Sequence, residues 1–467
     1  MTNKKLLKSI SLIVSCVLTL GVVSGCGEKK VDDGKTVISL GSTFPDEKAN
    51  PAAYENTVNL VKKFTDKYPD IVVEDGHYEF AADTYMTKAE GGTLPTAYYV
   101  PLTEVEKIKD LNYAADLTSY FEKNGYMDNF NETSLDLISR DGKIYFMPEQ
   151  FYYVGVVVNL ELYKKAGFVE ADGSLYQPDT WDDFARVAQT IKEKTGVDGF
   201  MMPTTNNCGG WRFTPIAWSN GTVFETKESD GSWKATFNSP EFIKSVQYLS
   251  DLKWKYNAMP ENALLSLDDV TAQFAAGNVG MIFGEPNLIT GLVQNYKMDK
   301  DKIGMLKMPR GDKKRVTLFG GGVRVIDRNA TESQMDAALK WLEFNGYSYK
   351  IDDERKTNIE NSYIRKTENG DLIGIRNMSP WKADSEYEKV QSEMIDKYIN
   401  VDSKHIEKFN DINELEFQVE EPIDAQALYA VLDNIIQEVL TNKNADIESI
   451  VSKAADDFQR NNLDFAK

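Results

Sequence analysis

The pattern of apolar and polar positions after residue 35 predicts strands and helices in alternation. A short apolar run at residues 37–40 is typical of a buried strand, and residues 51–68 carry apolar side chains at helical spacing. Residues 71–73 then form a second apolar run. Because a strand, a helix and a strand follow one another within about 35 residues, this part of the chain predicts an α/β layer with a parallel sheet.

The same alternation continues along the rest of the chain. A valine run broken by Gly155 predicts a strand, and the pair Thr180 and Asp183 is typical of a helix start. Residues 206–214 are polar and rich in glycine, and they are predicted to form a loop. The remaining predictions are helices at residues 180–191, 268–276, 425–439 and 447–458, a helix starting at Thr331 with Gln334, and strands at residues 154–158 and 279–283.

The first 26 residues show the pattern of a secretory signal. Lysines precede an apolar run at residues 10–23 that is too short for a spanning helix, and Ser24 and Gly25 stand before Cys26. We predict a signal peptide at residues 1–25. Similarity to bacterial lipoprotein signals implies that the Cys26 thiol is acylated, with palmitate as the expected chain, so that residues 26–35 are anchor and tether. The alternative is an ordinary cleaved signal with an incidental cysteine.

Length, charge and cysteine content narrow the class of protein. A chain of 467 residues is long enough for two or more domains, and a formal net charge of −20 disfavours nucleic acid and anionic lipid surfaces as partners. Only Cys208 remains once the signal and the anchor are assigned, so no intramolecular disulfide is expected. No second apolar run reaches spanning length, and the predicted membrane attachment is by the lipid alone.

A series of short motifs along the chain resembles one known family. The motifs are DGKIYFMP at residues 141–148, VVVN at 156–159, LYKKAG at 162–167, PDTW at 178–181, FAAGNVGM at 274–281, MPRG at 308–311 and GGGV at 320–323. In this order and spacing they resemble the extracellular solute-binding proteins of ABC importers, in the large sugar-binding family that includes the maltodextrin-binding proteins. The resemblance spans nearly all of the chain after the tether.

The resemblance implies a fold and a division into lobes. The expected fold is the two-lobe α/β fold of type II periplasmic binding proteins, with ligand in the crevice between the lobes. The N-terminal lobe is expected at residues 36–148 and 324–376, and the C-terminal lobe at residues 149–323 and 377–467. The expected crossings lie near residues 148–153, 319–323 and 376–381. This sequence departs from the family at residues 284–287, where Gly-Glu-Pro-Asn replaces Gly-Pro-Trp, and at the long polar segment 348–379.

The candidate binding residues follow from the chemistry of a sugar. Aromatic rings bind the apolar faces of a sugar, and carboxylates, amides and guanidinium groups bind its hydroxyls. For Trp211 the alternative role is packing, for Glu285 it is a carboxylate at a helix N-terminus, and for Asp46 it is a solvated turn. The candidates in predicted loops and crossings are Asp46, Glu149, Gln150, Tyr152, Tyr153, Trp211, Arg212, Glu285, Asn287, Gly321 and Trp381.

Other chemistries have less support in the sequence. The two histidines, His77 and His405, are far apart and have no metal-ligand spacing, so no zinc site is predicted. No nucleophile motif surrounds Cys208. A glycosidase stays open as an alternative, because 73 acidic residues always include close pairs of carboxylates. We predict no catalytic residue, no metal and no cofactor.

The expected function is capture and delivery of a sugar. The resemblance implies a monomer, lipid-anchored on the extracytoplasmic face of the cell membrane, that closes on an oligosaccharide and presents it to ABC permease subunits. Three alternatives stay open. The same fold could bind ferric ion through the tyrosine pairs 98–99 and 152–153, or another small solute. The protein could also be a surface glycan-adhesion protein, or the glycosidase mentioned above.

Overall fold

The structure is a computed structural model, and it describes residues 34–466 apart from the side chains of Ala82, Asp83 and Gln150. The predicted signal peptide at residues 1–25 and the predicted lipidation site Cys26 therefore lie outside the described residues. Residues Thr36–Lys467 form one compact unit. Within residues 34–466, none of the helices combines the length and the apolar character that a bilayer crossing requires.

The strands of the described residues form two large and two small sheets. The small sheets pair β4 with β5 and β9 with β10. The strands are β1 Thr36–Leu40, β2 Ile71–Asp75, β3 Ala97–Pro101, β4 Ser139–Arg140, β5 Lys143–Ile144, β6 Phe146–Tyr153, β7 Gly155–Asn159, β8 Asp198–Met201, β9 Glu225–Lys227, β10 Trp233–Ala235, β11 Val279–Gly284, β12 Ile303–Leu306, β13 Val316–Ile326 and β14 Glu416–Gln418.

Both large sheets are mixed. The first has the order β14-β13-β3-β1-β2, and β6 also pairs with β13. The second has the order β12-β7-β11-β8. The predicted parallel pairing of the first two strands is confirmed, since β1 is parallel to β2, and β8 is parallel to β11. The sheets are not purely parallel, however. Four strand pairs are antiparallel, namely β3–β13, β6–β13, β7–β11 and β7–β12.

Helices pack against both sheets, and several start at local caps that the sequence predicts. The Thr180 side chain accepts a hydrogen bond from the Asp183 amide (3.2 Å), and Thr331 with Gln334 forms a capping box. The helices are α1 Pro51–Lys67, α2 Ala82–Glu90, α3 Val105–Asp110, α4 Thr118–Lys123, α5 Glu132–Ile138, α6 Leu160–Ala166, α7 Trp181–Thr195, α8 Cys208–Asn220, α9 Pro240–Trp254, α10 Leu267–Ala275, α11 Pro286–Gln294, α12 Glu332–Phe344, α13 Asp353–Asn369, α14 Glu386–Tyr398, α15 Glu407–Asn410, α16 Ala425–Thr441 and α17 Ile447–Asn461.

Each large sheet has its own hydrophobic core, and two strands pass between the cores. Phe151 and Phe319 belong to the core of the first sheet, whereas Val154 and Leu318 belong to a core of the second sheet. β6 and β13 therefore cross from one core to the other side by side, paired from Phe319 opposite Tyr153 onward. We call each large sheet, with the elements packed against it, one half of the molecule. The two halves meet beside these crossings.

The C-terminal part of the chain contributes to more than one core. α16 and α17 pack into the core that contains Val154, through residues such as Leu432 and Phe458. α13 and α14 have a small cluster of their own, centred on Tyr363. Trp381, in a segment that the sequence assigns to the C-terminal lobe, packs in the core of the first sheet instead.

The predicted loop at residues 206–214 is wrong, because the chain is helical from Cys208 onward. The two glycines that suggested a loop serve close packing. A Cβ on Gly209 would lie 2.7 Å from an Asp433 carboxylate oxygen, and one on Gly210 would meet the backbone of Tyr429 in α16. Glycine here lets α8 and α16 approach each other.

Candidate ligand-binding site

The paired crossings β6 and β13 form the floor of the candidate site. Two glycines of β13 leave room for aromatic rings, since a Cβ on Gly320 would lie 2.7 Å from the Tyr152 ring and one on Gly322 would collide with the Tyr99 ring. Gly321, between them, has φ of +146°, a conformation that favours glycine. The glycine triplet therefore sets the positions of Tyr99 and Tyr152.

A cavity of about 390 Å³ lies over this floor. Most of its wall comes from the first sheet and the crossings, and one residue comes from the start of α11, which follows β11 of the second sheet. Elements of both sheets therefore face the same space. The lining residues are Ser42, Tyr99, Glu149, Tyr152, Asn287, Gly321, Gly322 and Arg324.

Arg324 and Glu149 form an ion pair in the wall of the cavity. Arg324 Nε lies 2.6 Å from Glu149 Oε2, and Nη2 lies 3.3 Å from Oε1. Arg324 Nη1 also donates to the carbonyl oxygens of Gly41 (3.2 Å) and Ser42 (3.3 Å), which follow β1. Since both side chains are mostly buried, at 12% and 21% exposure, the pair presents a few fixed polar atoms to the cavity.

A second ion pair stands on the side of the second sheet. Arg212 Nη2 on α8 lies 3.3 Å from Glu285 Oε2, with the two side chains 3% and 15% exposed. The Arg212 guanidinium also lies over the Trp211 ring at 4.9 Å, and the Trp211 ring meets the Tyr152 ring edge-on at 6.5 Å. These contacts connect the pair to the cavity wall. Glu285 precedes α11, but its side chain makes no cap hydrogen bond.

Glu420 connects the C-terminal segment to the same aromatic group. It accepts hydrogen bonds from Trp211 Nε1 (2.9 Å) and from the Tyr429 hydroxyl (3.2 Å). Burial raises the pKa of Glu420 to about 7. Burial, with Glu285 as the next cause, also raises the pKa of Tyr152 above its usual value. At neutral pH the Tyr152 phenol is therefore protonated and able to donate.

The start of α8, which positions Trp211 and Arg212, depends on a distant carboxylate. Asp433 of α16 accepts hydrogen bonds from the backbone amides of Asn207 (2.7 Å) and Gly210 (2.6 Å). Asn207 itself has left-handed backbone geometry and makes no cap hydrogen bond with its own side chain. The helix N-terminus thus takes its acceptor from a residue 223 positions away.

The structure brings several predicted site residues together. Glu149, Tyr152, Asn287 and Gly321 line the cavity. Trp211, Arg212 and Glu285 lie next to it and contact it through Tyr152 and one another. The backbone of Gln150 lies opposite Gly322 in the paired crossings.

Three other predicted site residues lie elsewhere. Tyr153 is 1% exposed, stacks on Phe409 at 4.3 Å and donates to its carbonyl oxygen. Trp381 is 4% exposed and stacks on Phe130 at 4.9 Å. Asp46 lies in an exposed turn, where it accepts from the amides of Lys48 and Ala49. The side chains of Tyr153 and Trp381 thus pack in cores, and Asp46 has the solvated-turn geometry.

Sequence reasoning missed several residues of the site. Arg324 is the most informative, because a single arginine in the apolar strand 323–326 is unusual and is itself a signal. Tyr347 was missed as well, and its ring lies 5.7 Å from the Arg324 guanidinium. Ser42 and Glu420 carry no signal in the sequence, since their place depends on how distant segments meet.

Metal binding has no assembled site in the described part of the chain, and Cys208 does not have the surroundings of a reactive thiol. Among residues 34–466, no group of three or more His, Cys, Asp or Glu side chains is arranged to hold a metal ion. Of the tyrosine pairs, Tyr98 is buried against Tyr85 and Tyr153 is buried against Phe409, so only one phenol of each pair lines the cavity. Burial raises the pKa of the Cys208 thiol, which disfavours a reactive thiolate.

Two mixed sheets, joined by paired crossings beside a polar and aromatic cavity, define a binding protein of the cleft type. Residues 59–346 match the family described as bacterial extracellular solute-binding protein. The chain belongs to this family.

Similar proteins with a described ligand support the assignment to this family. The arabinooligosaccharide-binding protein of Bacillus subtilis is 27% identical over 258 residues, which are 52% of this chain and 53% of that protein. The match thus spans about half the length of this relative. Among solved structures, an ABC substrate-binding protein from Listeria monocytogenes in complex with cycloalternan has a TM-score of 0.62, with 22% identity over 91% of this chain and 98% of that chain.

A second similar structure shows the same fold. It is the cyclic alpha-maltosyl-1,6-maltose binding protein from Arthrobacter globiformis, with a TM-score of 0.63, 18% identity and coverage of 91% of this chain and 98% of that chain. At these identities the structural likeness concerns the fold, which is the predicted two-lobe α/β fold of type II periplasmic binding proteins.

Proposed function

We propose that this protein captures an oligosaccharide in the cavity above β6 and β13 and delivers it to an ABC permease. The observation that carries the proposal is the combination of aromatic rings and paired charges in one cleft. Tyr99 and Tyr152 offer ring faces, and the pair Arg324–Glu149 offers donors and acceptors whose charges cancel. A neutral polyhydroxylated ligand suits such a surface, because it needs directional hydrogen bonds without a net charge.

The second ion pair and its neighbours extend this surface. Arg212, Glu285 and Trp211 continue the alternation of rings and paired charges beyond Tyr152. Two such groups, one on each half of the molecule, suit a ligand of more than one sugar unit. The B. subtilis relative is described as binding arabinooligosaccharides, which supports the oligosaccharide class.

Transport requires that ligand changes the shape of the protein. A ligand favours closure only through contacts with both halves at once. The cavity meets this condition, because Arg324 belongs to the first sheet and Asn287 follows a strand of the second. The closed form is then the form that a permease recognises. In this proposal the protein acts as a monomer.

The anchoring of the protein is part of the same proposal. The pattern that ends at Cys26 supports a lipid anchor on the extracytoplasmic face of the membrane. Mass spectrometry of the membrane-extracted protein tests it. We expect an N-terminal peptide that begins at an acylated Cys26, and a peptide with a free thiol would contradict the anchor.

Thermal unfolding against a glycan panel tests the binding function. The panel contains neutral mono- and oligosaccharides, including arabinooligosaccharides and maltodextrins, and the Thr36–Lys467 unit is the protein. Ligand at about 100 times its dissociation constant adds roughly 2.7 kcal/mol to the unfolding free energy. We expect a rise in the midpoint with one class of oligosaccharide. No rise with any glycan would contradict the proposal.

A further inference from the structure

A second cavity lies on the first half of the molecule, away from the cleft. It has a volume of about 710 Å³, and it lies between α1, the turn after α12 and the start of α13. No residue lines both this cavity and the cleft cavity. We call it the α1–α13 groove. Much of its wall comes from residues 348–379, the segment that is longer and more polar than is usual in the family.

Cationic side chains predominate in the α1–α13 groove. Its cations come from two helices and the turn between α12 and α13, and they outnumber the carboxylates by two in a chain whose net charge is −20. An excess of cations is therefore a local property of this surface. The cations are Lys63, Lys67, Lys350, Arg355 and Arg365, and the carboxylates are Glu343, Asp352 and Glu354.

Two of the three carboxylates already have internal roles. Asp352 caps α13, since its Oδ1 accepts a hydrogen bond from the Arg355 amide at 2.8 Å. Glu343 accepts from the Tyr126 hydroxyl at 2.7 Å and pairs with Lys350 at 3.2 Å. Among the described residues, Lys350 is the only groove cation that forms an ion pair with a carboxylate.

Arg355 is the least exposed of the groove cations that lack an ion pair. Its Nη2 donates to the carbonyl oxygens of Gly346 and Ser348, and its guanidinium lies over the Tyr387 ring at 5.2 Å. Among the described residues, no carboxylate lies within ion-pair distance of this guanidinium. Burial lowers the pKa of Arg355, whereas Tyr387 and the more weakly acting Asp352 and Glu343 raise it. An anion bound in the groove would act in the same direction as these groups.

Aromatic rings complete the wall. Tyr68, Phe344 and Tyr387 are partly buried and line the groove. Lys67 Nζ lies 5.9 Å from the Tyr68 ring and 5.8 Å from the Phe344 ring, so one cation stands directly beside apolar surface. A ligand that fits this wall has an anionic group and an organic body.

We propose that the α1–α13 groove binds a phosphate group carried on a sugar-sized body. Phosphate suits a site with ammonium and guanidinium groups on separate elements, because it has several acceptor oxygens and up to two negative charges. The phosphate comes either from a free sugar phosphate or from a phosphate-linked polymer. The proposal does not depend on the cleft, whose predicted ligands are neutral.

Calorimetric titration with defined probes tests the groove. Glucose 6-phosphate represents the free solute, poly(glycerol phosphate) represents the polymer, and glucose is the neutral control. The protein is the Thr36–Lys467 unit, which contains the four hydrophobic clusters found among residues 34–466. We expect binding of at least one phosphate probe, weaker at high salt, and no binding of glucose to the groove. The probe that binds identifies the source.

A pair of charge-reversal variants locates the binding. Lys63→Glu with Arg365→Glu alters two exposed cations of the groove, and Lys443→Glu with Lys453→Glu makes the same charge change on exposed positions of the C-terminal region. We expect at least a tenfold loss of phosphate affinity in the first variant and less than a twofold loss in the second. Equal losses in both variants, or no binding of either phosphate probe to the wild type, would overturn the proposal.

Discussion

At the residue scale, the glycines of β13 decide where the aromatic rings of the cleft lie. Glycine at 320 and 322 is required by the rings of Tyr152 and Tyr99, and not by backbone conformation, since only Gly321 has positive φ. Tyr152 was predictable from its place at a crossing. Arg324 was not predicted, although an arginine among the apolar residues 323–326 is itself a signal. Its partner Glu149 lies 175 positions away.

The substitution Gly322→Ala tests the role of the glycine. The added methyl group would collide with the Tyr99 ring, so the ring must move out of the cavity wall. We expect at least a tenfold loss of glycan affinity, measured by calorimetry. Gly291→Ala is the control, because its nearest neighbour is 3.8 Å away and alanine favours a helix. Wild-type glycan affinity in the Gly322→Ala protein would show that the Tyr99 ring does not contribute to binding.

The neighbouring tyrosines 152 and 153 allow a matched comparison. Tyr152→Ala removes a ring from the cavity wall, and we expect a loss of glycan affinity of about tenfold or more. Tyr153→Phe removes only the hydrogen bond to the Phe409 carbonyl oxygen (2.9 Å), which costs roughly 1 kcal/mol of unfolding free energy and leaves affinity unchanged. Calorimetry and chemical denaturation measure the two effects. The reverse order of affinities would contradict the assignment.

At the element scale, helices with local caps were predictable and α8 was not. The starts of α7 and α12 follow from Thr180–Asp183 and Thr331–Gln334, which lie within one turn of sequence. The start of α8 follows from Asp433, which no local pattern shows. A glycine-rich stretch suggests a loop in sequence, although here it permits contact between two helices.

Asp433→Ala should loosen the start of α8. The change leaves the partly buried amide of Asn207 and the buried amide of Gly210 without their acceptor, which costs about 1–3 kcal/mol of unfolding free energy. Because Trp211 and Arg212 lie in the first turns of α8, glycan affinity should fall too. Asp446→Ala is the control, since it removes an exposed cap of α17 and should lower stability without changing affinity. Unchanged glycan affinity in the Asp433→Ala protein would show that the start of α8 does not contribute to the binding site.

Two buried carboxylates, Glu421 before α16 and Glu225 in β9, predict a pH dependence of stability. Burial raises the pKa of Glu421 to about 7 and that of Glu225 to about 9. The folded state therefore holds protons that the unfolded chain releases above about pH 4.5, and the unfolding free energy falls as pH rises through the window from about 4.5 to 7 and beyond.

Glu421→Gln isolates one of these groups. Its amide keeps an acceptor for Trp218 Nε1, which donates to Glu421 at 2.9 Å, and it has no charge to bury. We expect the variant to be more stable than the wild type at pH 8 by roughly 1–3 kcal/mol and equal to it near pH 4. Denaturation curves at both pH values measure this, with exposed Glu55→Gln as the control. A stability gain that is the same at pH 4 and pH 8 would contradict the cause.

At the scale of the whole molecule, the order of motifs in the sequence predicted the family and the fold. The segment after α12 was less predictable, because α13 and α14 pack against each other in a small cluster of their own. Trp381 illustrates this, since it was expected beside the cleft and it stacks on Phe130 in a core. Contacts between segments far apart in sequence decide such positions.

Closure of the two halves is the large-scale prediction. If ligand bridges both halves, the radius of gyration measured by small-angle X-ray scattering should fall on addition of the bound glycan. The Tyr152→Ala protein, at the same glycan concentration, should show a smaller change. A saturated protein with an unchanged radius would mean that binding occurs without closure.

A calorimetric titration of neutral oligosaccharides into the Thr36–Lys467 unit tests directly whether the cleft captures a glycan. We predict saturable binding of one oligosaccharide class with one site per chain. The absence of binding across arabinooligosaccharides, maltodextrins and the other neutral glycans of the panel would contradict the claim that the cleft captures an oligosaccharide.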